Sequence, residues 1–239
     1  MKTFQSKMKP KYHGTENLEV MSEAVNYNNF LVDQILKCAP ESNDVEIFDF
    51  GAGIGQFSSI WNDARYNFRA IEIDPNFIKI LKSKGITVTQ LEKIEKSSAD
   101  YIYTINVLEH IENDQSVIIK LHNILKADGK LLVYVPAFEF LWTPMDDFVG
   151  HVRRYKKNEI QNKFEQVGFE IEKLEYVDSA GFFAILVLKI FTKTNGIINP
   201  KTLRFFDKYC FPVGRILDEL LFKYCLGKNL LLVAKKLNS

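Results

Sequence analysis

The chain has 239 residues, 46% of them hydrophobic and 26% charged, and a formal net charge of +1. That size and mix describe one globular domain with elaborations, or one domain with a small cap, and exclude a disordered or fibrous chain. A balance this close to neutral gives no overall field for DNA, RNA or an anionic membrane, so no nucleic-acid partner is expected.

Three cysteines, Cys38, Cys210 and Cys225, stand far apart with no CxxC pair. They suggest neither a disulfide framework nor a zinc site, and each reads as a small core residue in a reducing compartment. Residues 1–7 are polar and lack the apolar core of a signal peptide, so the cytoplasm is the expected location.

Residues 1 to about 16 are polar and basic and read as a loose arm. From Asn17 to Cys38, Leu18, Met21, Val25, Phe30, Leu31 and Ile35 recur at three- and four-residue steps, which predicts one or two helices. Pro40 to Asp44 breaks this helical arm, 1–44, from a main domain, 45–239. Val45–Phe50 is short and apolar and runs straight into Gly51, Gly53 and Gly55, the pattern of a buried parallel strand ending in a tight turn. Glycines there allow a sharp turn and close approach of a ligand to the main chain. A helix is expected from about Gln56 through Trp61 and on to about 66, its free N–H groups aimed over the turn. The strand Phe68–Ile73 then carries Glu72 about 20 residues past the glycines, where a nucleotide-binding unit needs an acceptor for ribose hydroxyls.

Asp74-Pro75 opens a second helix, and Ile86–Thr89 is strand-like. Ala99–Ile105 reads as a fourth strand ending in Asn106-Val107-Leu108-Glu109-His110-Ile111. A helix follows to Asp128-Gly129, and Lys130–Pro136 forms a fifth strand. A long loop, 137–155, leads to a helix from about Lys156 to Val167 and a sixth strand, Glu170–Tyr176. Leu230–Ala234 is apolar on both faces and reads as a buried last strand. Before it lies a helical cap or insertion, 180–227, whose apolar run 181–191 is too short for the ~20 residues of a membrane-spanning helix. Strands alternating with helical patterns predict an α/β, Rossmann-like, doubly wound sheet.

The set Asp49-Phe50-Gly51-Ala52-Gly53-Ile54-Gly55, Glu72 with Asp74, Asn106 to Ile111, and Asp128-Gly129-Lys130 resembles class I S-adenosylmethionine-dependent methyltransferases in order and spacing. Within that family it is most similar to the branch whose loop reads Gly-His-x-Arg-Arg-Tyr, here Gly150 to Tyr155. The resemblance implies a mostly parallel seven-stranded sheet with an antiparallel last strand, and S-adenosylmethionine as cofactor. It also implies that Asp49, Gly51, Gly53 and Gly55 line the methionine part, that Glu72, with Ile73 beside it, holds the ribose, and that Asn106 flanks the cofactor. The third strand departs from the pattern, offering Gln90 or Glu92 on the adenine side.

Methyl transfer asks a protein to position, to exclude water and, where needed, to remove a proton. His110 and His151 are the candidate catalytic residues, with a capping or wall histidine as the alternative for His110. Trp142, Arg153, Arg154 and Tyr155 are candidates for binding the acceptor, against the alternative that the arginines pair with Asp146 and Asp147. Adjacent aspartates point opposite ways, so Asp146, Asp147 and Glu109 make no magnesium set and no metal is expected. Tyr27 reads either as a roof over the cofactor or as core. Phe182, Phe183 and Trp142 read either as core or as the mark of an apolar or lipid-linked acceptor. The function expected is methyl transfer to an O or N atom of a small molecule. An NAD(P)-dependent oxidoreductase is the alternative, although Gln56 breaks the G-x-G-x-x-G spacing. A non-catalytic member of the fold is the other. Oligomeric state leaves no trace in the sequence.

Overall fold

The computed structural model describes residues 15–42, 44–61, 66–191 and 198–237. In chain order the helices are α1 (Thr15–Met21), α2 (Val25–Cys38), α3 (Pro75–Ser83), α4 (Asp114–Ile124), α5 (Pro144–Val149), α6 (Lys157–Glu165), α7 (Ser179–Phe191), α8 (Pro200–Phe205) and α9 (Phe211–Leu220). The strands are β1 (Val45–Phe50), β2 (Tyr66–Ile71), β3 (Val88–Thr89), β4 (Ala99–Ile105), β5 (Leu125–Pro136), β6 (Phe169–Val177) and β7 (Asn229–Lys236). They form one sheet in the order β3-β2-β1-β4-β5-β7-β6. β7 runs antiparallel to both neighbours, and the pairs among β1 to β5 are parallel.

Side chains alternate across the pleat, so each strand feeds two cores. Phe48, Phe50, Ile102, Leu131, Val133 and Leu232 pack with Val117, Ile118 and Leu121 of α4 and Ile160 and Phe164 of α6. On the other face Ile47, Tyr101, Tyr103, Leu132, Tyr134 and Val233 pack with Tyr27, Phe30, Leu31 and Ile35 of α2 and Phe211 of α9. The second helix of the expected N-terminal arm is therefore a layer of the core. The arm itself, 1–14, lies outside the described residues.

Five local expectations change. The helix expected to reach Asp128-Gly129 ends at Ile124, and the fifth strand, expected from Lys130, begins at Leu125, which pairs with Ala99 of β4. Past the glycines the chain forms only a 3-10 turn, Ser58–Trp61, and no α-helix. Ser58, Ser59 and Ile60 are weak helix formers, and Trp61 is drawn into the core, where Nε1 donates to the Tyr103 hydroxyl at 3.1 Å. The rest of that expected helix, 62–65, is outside the described residues. The third strand shrinks to Val88–Thr89. The 137–155 loop contains α5, started by a capping box between Thr143 and Asp146 and stopped by Gly150 in the left-handed region. Cys225 is exposed and so no core residue, while Cys38 and Cys210 are partly buried. Among the described residues no helix is long and apolar enough to cross a membrane.

The insertion α7–α9 is tied to α2 by a capping bond made across the chain. Asp207, in the wide turn 206–210, accepts from the backbone N–H groups of Asn26 and Tyr27 at 2.9 and 2.8 Å, at the start of α2. A carboxylate at a helix N-terminus satisfies otherwise orphaned donors and complements the helix dipole. Asp207→Ala is therefore expected to lower stability by about 2 kcal/mol, or roughly 4–8 °C in Tm, read by thermal unfolding. An unchanged Tm would show that the cap contributes nothing.

Candidate active site at the carboxyl ends of the strands

The strand order reverses between β1 and β4, and a ligand crevice opens outside the carboxyl ends of parallel strands at such a switch point. Gly51 turns the chain there with φ of +81°, and its N–H donates to Ile71 O at 2.8 Å. A Cβ at 51 would lie 2.4 Å from Cγ2 of Val107, so glycine is required by the close approach of the residues after β4. Gly53, at φ +54°, differs: among the described residues a Cβ there would meet only Leu18 Cδ1, at 3.8 Å. No described side chain crowds the turn at 53. The N–H groups of Gly51, Ala52, Gly53 and Gly55 are engaged by Ile71 O, Glu72 and Ala52 O, so what the turn offers a ligand is close approach to its main chain at 53.

Two buried carboxylates back the turn. Glu72 accepts from the N–H groups of Gly53, Ile73 and Asp74 at 2.8, 2.7 and 2.9 Å. Three of the roughly four acceptor positions of a carboxylate are thereby used, which fixes its place at the end of β2 and leaves one. Asp49, 3% exposed, takes a hydrogen bond from the Tyr103 hydroxyl. Burial pushes its carboxyl up to about 7, against the pull of that bond and helped by the charge of Glu72. Ile73 is half exposed beside Glu72, and Gln90 is exposed at the end of β3. Asn106 sits just past β4 with φ of +54°, its N–H on Tyr134 O at 2.8 Å. Tyr27 is buried and packed edge-on against Tyr134 and Phe211, so it belongs to the core beneath the crevice.

The second constellation joins the turn Leu108–His110 to the loop after β5. Val152 N–H donates to Glu109 O at 2.8 Å, and Tyr155 N–H to Pro136 O at 2.8 Å, which seats the loop along the strand ends. Asp146, 1% exposed, is the hub. It receives Arg154 Nε and Nη2 in a fork at 2.8 and 2.9 Å, His151 Nδ1 at 2.7 Å, and the N–H and hydroxyl of Thr143 at 2.7 and 2.9 Å. Burial alone would raise its carboxyl, but the bonds from His151 and Arg154 win and hold it well below the usual range. Asp147 points the other way and takes the Trp142 indole N–H at 3.0 Å.

Arg154 and Tyr155 therefore build the loop and do not face the crevice. Arg154 is spent on Asp146 and Ala137 O, and Tyr155 is fully buried with its hydroxyl on Asp114 at 2.8 Å. Arg153 reaches Glu112 O at 2.7 Å and Asp114 at 3.3 Å yet keeps part of its surface, and Trp142 is partly exposed. His110 and His151, expected only as separate candidates, meet edge to face with ring centres 4.7 Å apart. Burial and the neighbouring His151 push His110 down to about 4. Sequence reasoning gave Glu109 no role of its own, although it is fully buried between the two segments, and burial pushes its carboxyl up to about 7 against the pull of His151. An acid directly before His110 at the carboxyl end of a strand was the available signal.

A family model described as a methyltransferase domain matches residues 23–174. In sequence the chain is 25% identical over 173 residues to the ubiquinone biosynthesis O-methyltransferase of Rickettsia bellii, covering 62% of this chain and 70% of that protein. In structure it is similar to the Haloferax volcanii methyltransferase solved with the Trm112 activator, with a TM-score of 0.63 at 11% identity over 96% of this chain and 99% of that one. It is also similar to phosphoethanolamine N-methyltransferase 2 of Haemonchus contortus solved with S-adenosyl-L-methionine, with a TM-score of 0.58 at 15% identity over 87% and 52% of the two chains. At those identities the structural likeness speaks for the fold.

The raised carboxyl of Asp49 makes a testable sign. Between its ordinary value of 3.8 and about 7 the folded chain keeps a proton that the unfolded chain has released. The stability this contributes is full below the ordinary value and is lost as pH rises through about 7. Asp49→Asn keeps the shape and still accepts from Tyr103. Its stability relative to the parent should therefore climb with pH, by up to about 4 kcal/mol between about pH 4 and pH 8, measured by urea unfolding. A difference that stays flat with pH contradicts the buried-carboxylate picture.

Proposed function

This chain belongs to the methyltransferase-domain family, and we propose that it moves a methyl group from S-adenosylmethionine to an oxygen or nitrogen atom of a small acceptor. The observation that carries the reading is the uncrowded turn at Gly53 beside the fixed carboxylate of Glu72. Backbone uncrowded by described side chains at 53, a positioned acceptor at the end of β2 and the exposed apolar side chain of Ile73 suit the chemistry of an adenosine-bearing ligand. In this reading Asp49, Gly51, Gly53 and Gly55 hold the methionine part, Glu72 the ribose hydroxyls, Ile73 and Gln90 the adenine side, and Asn106 the flank. Bound S-adenosylmethionine supplies a methyl carbon already activated by a sulfonium.

The chain's own residues then orient the acceptor, keep water out and take up a proton where one is released. His110 and His151, side by side after β4 and α5, are our candidates for the last task, with Trp142 as a flat wall and Arg153 as a charged one. We take the acceptor to be apolar or lipid-linked. Supporting this, α7 and α9 present Val187, Ile216 and Leu220 at 53, 62 and 75% exposure, apolar side chains of the kind an apolar acceptor would pack against. The similar Rickettsia bellii protein is an O-methyltransferase of ubiquinone biosynthesis, which favours oxygen as the acceptor atom. A cytoplasmic location remains part of the proposal, resting on the cysteine usage.

Calorimetry with S-adenosylhomocysteine and, separately, NADH tests the cofactor reading. Binding of the first alone is expected, and Glu72→Gln should weaken it by at least about tenfold, the loss of one hydrogen bond to a charged acceptor. Heat with NADH in place of S-adenosylhomocysteine would overturn the assignment. For the acceptor side, transfer of labelled methyl to a panel of apolar hydroxyl and amine compounds should slow by about 100-fold in His151→Ala, with S-adenosylhomocysteine affinity unchanged. Equal turnover would remove His151 from the chemistry.

A further inference from the structure

Glu109 and His110, from the turn Leu108–His110, converge with His151, which follows Gly150 at the end of α5. One ligand-capable atom from each lies within 4.8 Å of those of the other two. Glu109 is fully buried, and neither of its carboxylate oxygens has a hydrogen-bond partner among the described residues. Its Oε1 stands 3.8 Å from His151 Nε2, beyond hydrogen-bond reach. A carboxylate removed from water with its lone pairs unused is costly, and buried charges are ordinarily paired or bound to metals.

The histidines carry the complementary signature. His151 Nδ1 rests on Asp146 Oδ1 at 2.7 Å, and His110 Nδ1 faces Gly150 O at 3.3 Å. Ligating imidazoles are oriented in this way, the proton on one ring nitrogen going to a carboxylate or carbonyl while the other nitrogen is presented to the ion. Asp146 is itself clamped by the Arg154 fork and by Thr143, so the orientation of His151 is built into the loop. The backbone bond from Val152 to Glu109 holds the two segments in register.

We propose that Glu109, His110 and His151 form a binding site for one divalent first-row transition ion of the zinc class, with a coordination position left open on the side where the two imidazoles are partly exposed. Two nitrogens and one carboxylate are a donor set of catalytic zinc sites. Magnesium and calcium prefer all-oxygen ligands and do not suit this set. Bonds of about 2.1 Å in a tetrahedral arrangement put ligand atoms roughly 3.4 Å apart. The cluster, now spanning up to 4.8 Å, therefore draws in by side-chain adjustment when the ion binds. With the ion bound, the two imidazoles serve as ligands in place of the proton-accepting role given to them above: the ion balances the buried Glu109 and polarises an acceptor hydroxyl in the open position, whose proton leaves to solvent. That last role rests on the methyl-transfer reading; the site itself does not.

The test is calorimetric titration of the chelator-stripped full chain with zinc chloride in the absence of cofactor. One ion per chain is expected. In Glu109→Gln and His151→Ala the affinity should fall by more than the roughly 10–100-fold that loss of an outer-shell partner brings. His122→Ala, a histidine outside the cluster against Phe169, should bind as the parent does, and magnesium chloride should give no heat. Circular dichroism and S-adenosylhomocysteine affinity equal to the parent's show that Glu109→Gln is folded. No zinc bound, or zinc bound equally by the parent and both variants, overturns the site. Stoichiometric zinc without methyl transfer to any acceptor supports the site and counts against the transfer reading, so the two fail separately.

Discussion

Position 51 has no room for a side chain because Val107 fills the place where one would go. This steric constraint brings the turn after β1 against the segment after β4, at the one point where the strand order reverses. Both proposed sites are arranged from that contact. On one side of it lies the turn through Gly53 with Glu72 behind. On the other, two residues past Val107, the chain reaches Glu109 and His110. The cofactor side and the acceptor side of the proposed reaction are thus separated by a few residues of β4's continuation.

Around this junction, rigidity comes from buried charge. Asp146 gathers an arginine fork, a histidine and a helix cap within one loop, and Asp207 anchors the start of α2 from the middle of the insertion. Glu72 is held by three backbone donors. In each case a carboxylate buried by the fold is satisfied by donors, from its own loop for Asp146 and from across the chain for Asp207, so losing a partner strands a charge. Glu109 stands apart from this rule, its two carboxylate oxygens unpartnered among the described residues, and the proposed ion site centres on it for that reason.

The architecture was legible because its signals are local. Apolar strands alternating with amphipathic helices, and glycines following Phe50 with an acid about 20 residues on, gave the sheet, the antiparallel last strand through the resemblance, and the turn. The short turn at Ser58–Trp61 was not legible, since Trp61 leaves the helical path for a hydrogen bond with Tyr103, a residue about 40 positions away. Arg154 and Tyr155 looked like acceptor contacts for a similar reason. Nothing in Gly150–Tyr155 tells which arginine turns inward to Asp146, or that Tyr155 finds Asp114. The convergence of His110 with His151 depends on a loop-to-turn register that only the backbone bond at Val152 reveals.

What binds in the crevice over the hydrogen-bonded pair Gly53 and Glu72 decides the cofactor assignment. A crystal structure of the chain with S-adenosylhomocysteine measures this most directly. It should show the adenosine lying over the turn 51–55 with the ribose hydroxyls on Glu72 and the sulfur on the side of Asn106. A crevice left empty at saturating ligand, or the ligand bound elsewhere on the chain, would contradict it.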